Sequence, residues 1–206
     1  MNSNKILTVT SKAASIIFHP LLIPTLGFLL LFYSDFYFAL LPWNVKRFLL
    51  LVVFISTCVL PAISILLLAY NRKIDLNMDK TSDRILPLIM SSIFYYIGYL
   101  IIRKLPIFPV FNFFLIASIL VQISLLVITM RWKISAHSAA IGGLLGGFFA
   151  LSFRLNENPV LLLVALVLIS GIVGTARLIL GKHTSWQVFS GYLLGFLIMN
   201  LVILFV

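Results

Sequence analysis

Apolar runs close to the ~20 residues that carry an α-helix across a bilayer follow one another along this chain, and they decide what it can fold into. Seven are read, at roughly Ala13–Tyr33, Phe48–Tyr70, Leu86–Ile102, Pro109–Met130, Ser135–Phe153, Pro159–Leu178 and Gln187–Val206. Backbone groups in lipid must be bonded within the spanning structure, so helices are expected. Transmembrane strands need alternating segments of about ten residues, and the chain has none. Of the 206 residues, 62% are hydrophobic and 10% charged, against about 25% charged in a soluble domain. The expected fold class is all-α: a polytopic transmembrane helical bundle of about six to seven spans, with residues 1–206 as a single integral membrane domain. Lys5 and Lys12 precede an apolar stretch that runs on to about Tyr33, which is expected as a retained first span, not a cleaved signal.

The net charge of +10 arises from 15 Lys and Arg against 5 Asp and Glu. These cations are scattered through short loops between apolar runs, so they suit membrane lipids and phosphate groups, and no nucleic-acid partner is expected. The lone cysteine, Cys58, excludes an intrachain disulfide and is read as a small packed residue. Alternating the runs across the bilayer places loops 71–85, 131–134 and 179–186 on one side, and loops 34–47, 103–108 and 154–158 on the other. His19, His137 and His183 all fall on or near the first side, with Asp75, Asp79 and Asp83, whereas the opposite loops hold Asp35 and Glu157. Ten basic residues flank the first side and five the second, which taken alone points the first side to the cytoplasm. Setting aside Lys80, Arg84, Arg177 and Lys182 as phosphate ligands leaves six against five, so sidedness stays open.

Three polar clusters meet on the first side: residues 71–87, Lys133 to Ser138, and Arg177 to Gln187. Ser135 reads as the N-cap of a helix, and helix N-termini offer unpaired N–H groups to an anion, with His137 beside them. A lone Arg at the edge of lipid usually snorkels to the surface, but Arg177 is followed by His183 and Gln187 in the spacing R-x5-H-x3-Q. Together the clusters supply cations for a phosphoryl group and two histidines, one to attack and one to move a proton. Gly142, Gly143, Gly146 and Gly147, with Gly171 and Gly174, are read as small positions that let helices approach closely. Trp43, Trp132 and Trp186 fall at span ends, as interfacial aromatics do.

On these residues the chain resembles the type-2 phosphatidic acid phosphatase superfamily, whose motifs are K-x6-R-P, P-S-G-H and S-R-x5-H-x3-D. Ser135 and His137 match the second motif, Arg177 and His183 the third, and Arg84 is the best match to the first. The resemblance spans about residues 70–190 and implies a phosphatase-like core preceded by two further spans. It implies His183 as nucleophile through a phosphohistidine, His137 as general acid, and Arg84, Ser135, Arg177 and Lys80 as phosphate ligands. It implies no metal and no cofactor, and a phosphorylated lipid as substrate: phosphatidate, a phosphatidylglycerol phosphate, a polyprenyl diphosphate or a phosphorylated lipid A. A bacterial cytoplasmic (inner) membrane is the expected location; oligomeric state is not legible. Lys80 precedes Arg84 by four residues where the motif has seven, and Gln187 stands where the superfamily has aspartate. Glutamine can orient an imidazole but brings no charge, which keeps open a catalytically degenerate lipid-phosphate-binding protein. A third reading starts from Asp75, Asp79 and Asp83, which on a helix would share one face and hold a diphosphate through Mg²⁺, as in membrane prenyltransferases.

Overall fold

The computed structural model describes residues 3–34, 36–76, 78 and 80–205; Asp35 and Asp79, and Val206 at the end of the last expected span, lie outside the described residues. Helices α1 (Ser3–Ile17) and α2 (Ile23–Tyr33) are followed by a 3₁₀ turn, Tyr37–Leu40. Next come α3 (Trp43–Tyr70), α4 (Ser82–Ile102), α5 (Val110–Thr129), α6 (Ala136–Leu155), α7 (Val160–Ile179) and α8 (Ser185–Phe205). The described residues form no strand, and α3 to α8 are long and apolar enough to cross a membrane. The chain is an all-α integral membrane bundle, as the apolar runs require.

The first expected span is not one helix. Pro20 has no N–H to continue the ladder and its ring disfavours a helical residue before it, so α1 ends at Ile17. The chain then turns through residues 18–22, with Leu22 N–H donating to His19 O at 2.8 Å and Leu21 N–H to His19 Nδ1 at 3.3 Å. The Thr57 hydroxyl, from a π-helical turn at Ile55–Val59 of α3, donates to Leu21 O (3.4 Å) and ties this break to the bundle. The eleven residues of α2 rise only about 17 Å at 1.5 Å each. On the other side of the break α1 packs on α7, with Ser11 and Ser15, one turn apart, buried.

Asp75 and Asp83 do not lie on one helix either. Arg72 and Met78 have positive φ (52° and 48°), the stretch runs through turns and bends, and α4 begins only at Ser82. Asp75 is exposed in this loop and Asp83 sits in the first turn of α4, so they do not share a helix face.

The bundle is organised around α6: 67% of its membrane window is buried, against 17–39% in the other five spans. Its largest contact is with α8. A methyl group on Gly142 would strike Tyr192 O, on Gly146 Phe196 O, and on Gly195 Ala139 O. Small residues on both helices thus let two backbones touch, which in lipid is a main source of association. Gly143 faces Met199 at 3.1 Å and Gly147 faces Phe114 at 3.0 Å, so all four α6 glycines serve packing. Gly174 faces Val188 (3.2 Å), but Gly171 has nothing within 4 Å and is no packing position. The pairing order, Gly142 with Tyr192 and Gly146 with Phe196, means that α6 and α8 run parallel. Ser135 N–H donates to Gln187 O (3.2 Å), locking their N-terminal ends side by side.

Candidate functional site

The N-termini of α6 and α8 point to the same end of the bundle, and the last turn of α7 lies beside them. Gly181 adopts φ +62°, where a side chain would be strained, and ends α7 in a tight turn with Gly181 N–H on Leu178 O and Lys182 N–H on Arg177 O. That turn brings His183 back to the level of Arg177. Arg84 reaches the same end from α4: its Nε donates to Met78 O (2.9 Å) and its Nη1 to Ile134 O (3.4 Å), just before α6.

These residues open onto a cavity of about 530 Å³ between the helices. Arg84, His137, Arg177 and His183 all line it, with His19 from the break between α1 and α2. Its deeper wall is largely apolar, formed by Leu88, Phe114, Val121, Leu125, Leu144 and Met199 among others. Four sequence-predicted site residues are thus brought together, although they are spread over residues 84–183. Among the described residues the cavity lining contains no Asp or Glu. Among the described residues its charged head is cationic, with an apolar body beneath.

His183 is 8% exposed. Its Nδ1 lies 3.1 Å from Gln187 Oε1, which also accepts from Thr184 N–H at 3.2 Å. The backbone donor identifies the side-chain atom as oxygen, so it can only accept, and Nδ1 of the ring carries the hydrogen. Nε2 is then the nitrogen with the lone pair. Burial, and then the charge of Arg84, push the His183 pKa down to about 4, against the opposing Gln187 hydrogen bond, so the ring is neutral and nucleophilic at pH 7. His19 is also held below its ordinary value, by desolvation and then by Arg177. Its ring meets that of His137 edge-on, with centroids 5.4 Å apart.

Arg177 donates through Nη1 to Ser15 Oγ (3.1 Å), while its buried Nε has no acceptor. An unpaired buried donor of a charged group is costly, and an anion in the cavity would give it an acceptor. His137 Nε2 is bonded to Ser15 O (3.1 Å). Ser135 is fully buried and outside the lining; its Oγ accepts from Ser138 N–H (3.3 Å) and is paired with the Ser138 hydroxyl (2.9 Å). It caps α6, as its sequence position suggests, and the two residues after it, Ala136 and His137, line the cavity. Lys80 is exposed and does not line the cavity; Gln187 stands behind His183. Asp75 and Asp83 are also outside the lining.

Two contributors escaped the sequence reading. Ser15 carries no motif, and the only signal for it was His19-Pro20, which breaks the helix just after it. Gln122 lies on the deep wall, 8% exposed, with Oε1 unpartnered; it sits in an otherwise ordinary apolar run.

No curated protein and no solved structure matches the chain. The family model of the PAP2 superfamily matches residues 129–206, a stretch that holds Ser135, His137, Arg177, His183 and Gln187 and leaves Arg84 outside. The match begins later than the expected core at about residue 70 and continues through the whole of α8. Through residues 129–206, the chain is similar to the PAP2 superfamily.

Proposed function

We propose that this protein is a lipid-phosphate phosphatase or phosphotransferase of the bacterial cytoplasmic membrane, acting through a phosphohistidine on His183. One observation carries the reading: a cavity whose polar end presents Arg84, Arg177, His137 and His183 above an apolar body. The superfamily match over residues 129–206 supports phosphatase chemistry in general. In the proposed reaction Arg84 and Arg177 hold the phosphoryl oxygens, where guanidinium forks suit the geometry and charge. His183 Nε2 attacks phosphorus, forming an N–P bond as the bond to the lipid oxygen breaks, and His137, entering as the imidazolium, gives that oxygen a proton and becomes neutral. Water, or an acceptor hydroxyl in the phosphotransferase case, then attacks phosphorus, the N–P bond breaks, and His137 takes the attacking oxygen's proton. The residues of this chain supply every proton transfer in the sequence.

Phosphate release from phosphatidate, a phosphatidylglycerol phosphate, a polyprenyl diphosphate and a phosphorylated lipid A tests it with purified protein in mixed micelles. Wild type is expected to hydrolyse at least one, and His183→Ala to lose about 10³-fold or more. Equal rates for the two proteins remove His183 from the nucleophile's role. The neutral Gln187 favours one second reading, a degenerate protein that binds lipid phosphate without cleaving it. A wild type inert on the whole panel but retaining phosphatidate would establish that reading instead.

A further inference from the structure

We infer that Ser15 is a positioning residue for the phosphate site, its hydroxyl aiming Arg177 and its carbonyl fixing the ring of His137. The inference rests on the phosphate-site reading above and extends it to α1, outside the superfamily match. The last four carbonyls of a helix have no partner within it and must find one elsewhere. At the end of α1, Phe18 N–H takes Ala14 O (3.0 Å). Pro20 has no N–H to offer Ile16 O, and His19 N–H turns to that carbonyl instead (3.3 Å). Ser15 O is thereby released from the helix ladder, and His137 Nε2 meets it at 3.1 Å.

A carbonyl only accepts, so Nε2 carries the hydrogen and Nδ1 is the nitrogen left to exchange protons with the reacting oxygens. The same residue's Oγ accepts from Arg177 Nη1 at 3.1 Å. Ser15 is 8% exposed, so neither bond competes with bulk water. One buried residue, about 120 and 160 positions away in sequence from the groups it orients, thus sets both the aim of a phosphate-holding cation and the tautomer of a proton carrier. Its position follows from Pro20, which stops α1 at the level of the site.

Two variants separate the two bonds. Ser15→Ala removes the hydroxyl and keeps the carbonyl. Pro20→Ala restores an N–H for Ile16 O, freeing His19 N–H to recapture Ser15 O. With dioctanoyl phosphatidate in mixed micelles, Ser15→Ala is expected to raise KM about fivefold or more, with kcat within about twofold, and Ser15→Thr to restore it, as expected for one hydrogen bond to a charged group. Pro20→Ala is expected to lower kcat about tenfold while KM holds. Unchanged KM in Ser15→Ala overturns the hydroxyl's role, and unchanged kcat in Pro20→Ala overturns the carbonyl's. Losses that track a lowered Tm and resist rescue by Ser15→Thr reduce Ser15 to a structural part and also overturn the inference. If wild type hydrolyses no lipid phosphate, the reaction reading fails separately. Retention of orthovanadate then decides the hydroxyl's role: weaker binding by Ser15→Ala than by wild type sustains it, and equal binding overturns it.

Discussion

At the scale of single residues, the pairing of His183 with Gln187 decides how the site works. Gln187 Oε1 holds Nδ1–H and leaves Nε2 available, so orientation is present; what an aspartate would add is charge to stabilise the ring once it is cationic. Gln187→Glu is nearly isosteric and supplies that charge. It is expected to raise kcat about tenfold or more, bounded by the ~10⁴-fold cost of the reverse change in a serine-protease triad. The same substitution is expected to raise the pKa of His183, because a carboxylate favours the cationic ring. Titration of the ring nitrogen signals is expected to give a midpoint near 4 in wild type and a higher one in Gln187→Glu. The sign fixes the linkage. Between about pH 4 and the unfolded value of about 6.5 the unfolded chain binds more protons at this residue, so its contribution to stability is lost as pH falls through that window. A wild-type midpoint at 6.5 or above would contradict the buried, Arg84-facing placement of the ring.

At the scale of elements, the site depends on two parallel helices meeting backbone to backbone. Gly195→Ala places a methyl group against Ala139 O, at a point where neither backbone can yield alone. It is expected to cost about 1–3 kcal/mol and to loosen the Ser135–Gln187 lock, which stands between His137 and His183. Gly171→Ala meets nothing within 4 Å and is expected to be neutral or stabilising by up to about 1 kcal/mol. Thermal unfolding in detergent, with phosphate release beside it, distinguishes the two; equal Tm values would disprove the close contact. The glycines of α6 could be read as packing positions because small residues four apart fall on one face. Gly171, three residues before Gly174, was read the same way but faces away, since a pattern fixes which residues share a face and not what that face meets. The break at His19-Pro20 was visible as residues, yet the apolar content of 13–33 was continuous enough to read as one span. Hydropathy averages over the two residues that matter. The spacing of Asp75 and Asp83 suggested one helix, which the left-handed backbone at Met78 between them excludes.

At the scale of the molecule, alternation of apolar runs was enough to bring Arg84, His137, Arg177 and His183 to one end, because each crossing reverses the chain. It was not enough to foresee the cavity, which lies among α2, α3, α4, α5 and α6 and depends on how the helices pack, which hydropathy does not encode. The cavity makes a claim about substrate that the head-group cluster cannot make. If its apolar wall takes the lipid tail, filling that wall must penalise long chains and spare short ones. Ser118, midway along α5, lines the cavity with its hydroxyl bonded to Phe114 O at 2.7 Å. Ser118→Phe projects a ring into the space and removes a hydroxyl whose carbonyl partner remains in the helix ladder. Each methylene withdrawn from an apolar contact is worth about 0.8 kcal/mol, so excluding even two or three of them costs about 1.6–2.4 kcal/mol, some 15- to 60-fold. The expected outcome is a fall of at least tenfold in kcat/KM for dipalmitoyl phosphatidate, with the rate on a water-soluble phosphate monoester changed less than about twofold. A parallel loss on both substrates would mean that the ring distorts the head-group site. No loss on either would mean that the tail lies outside the cavity, against the lipid-facing surface of the bundle.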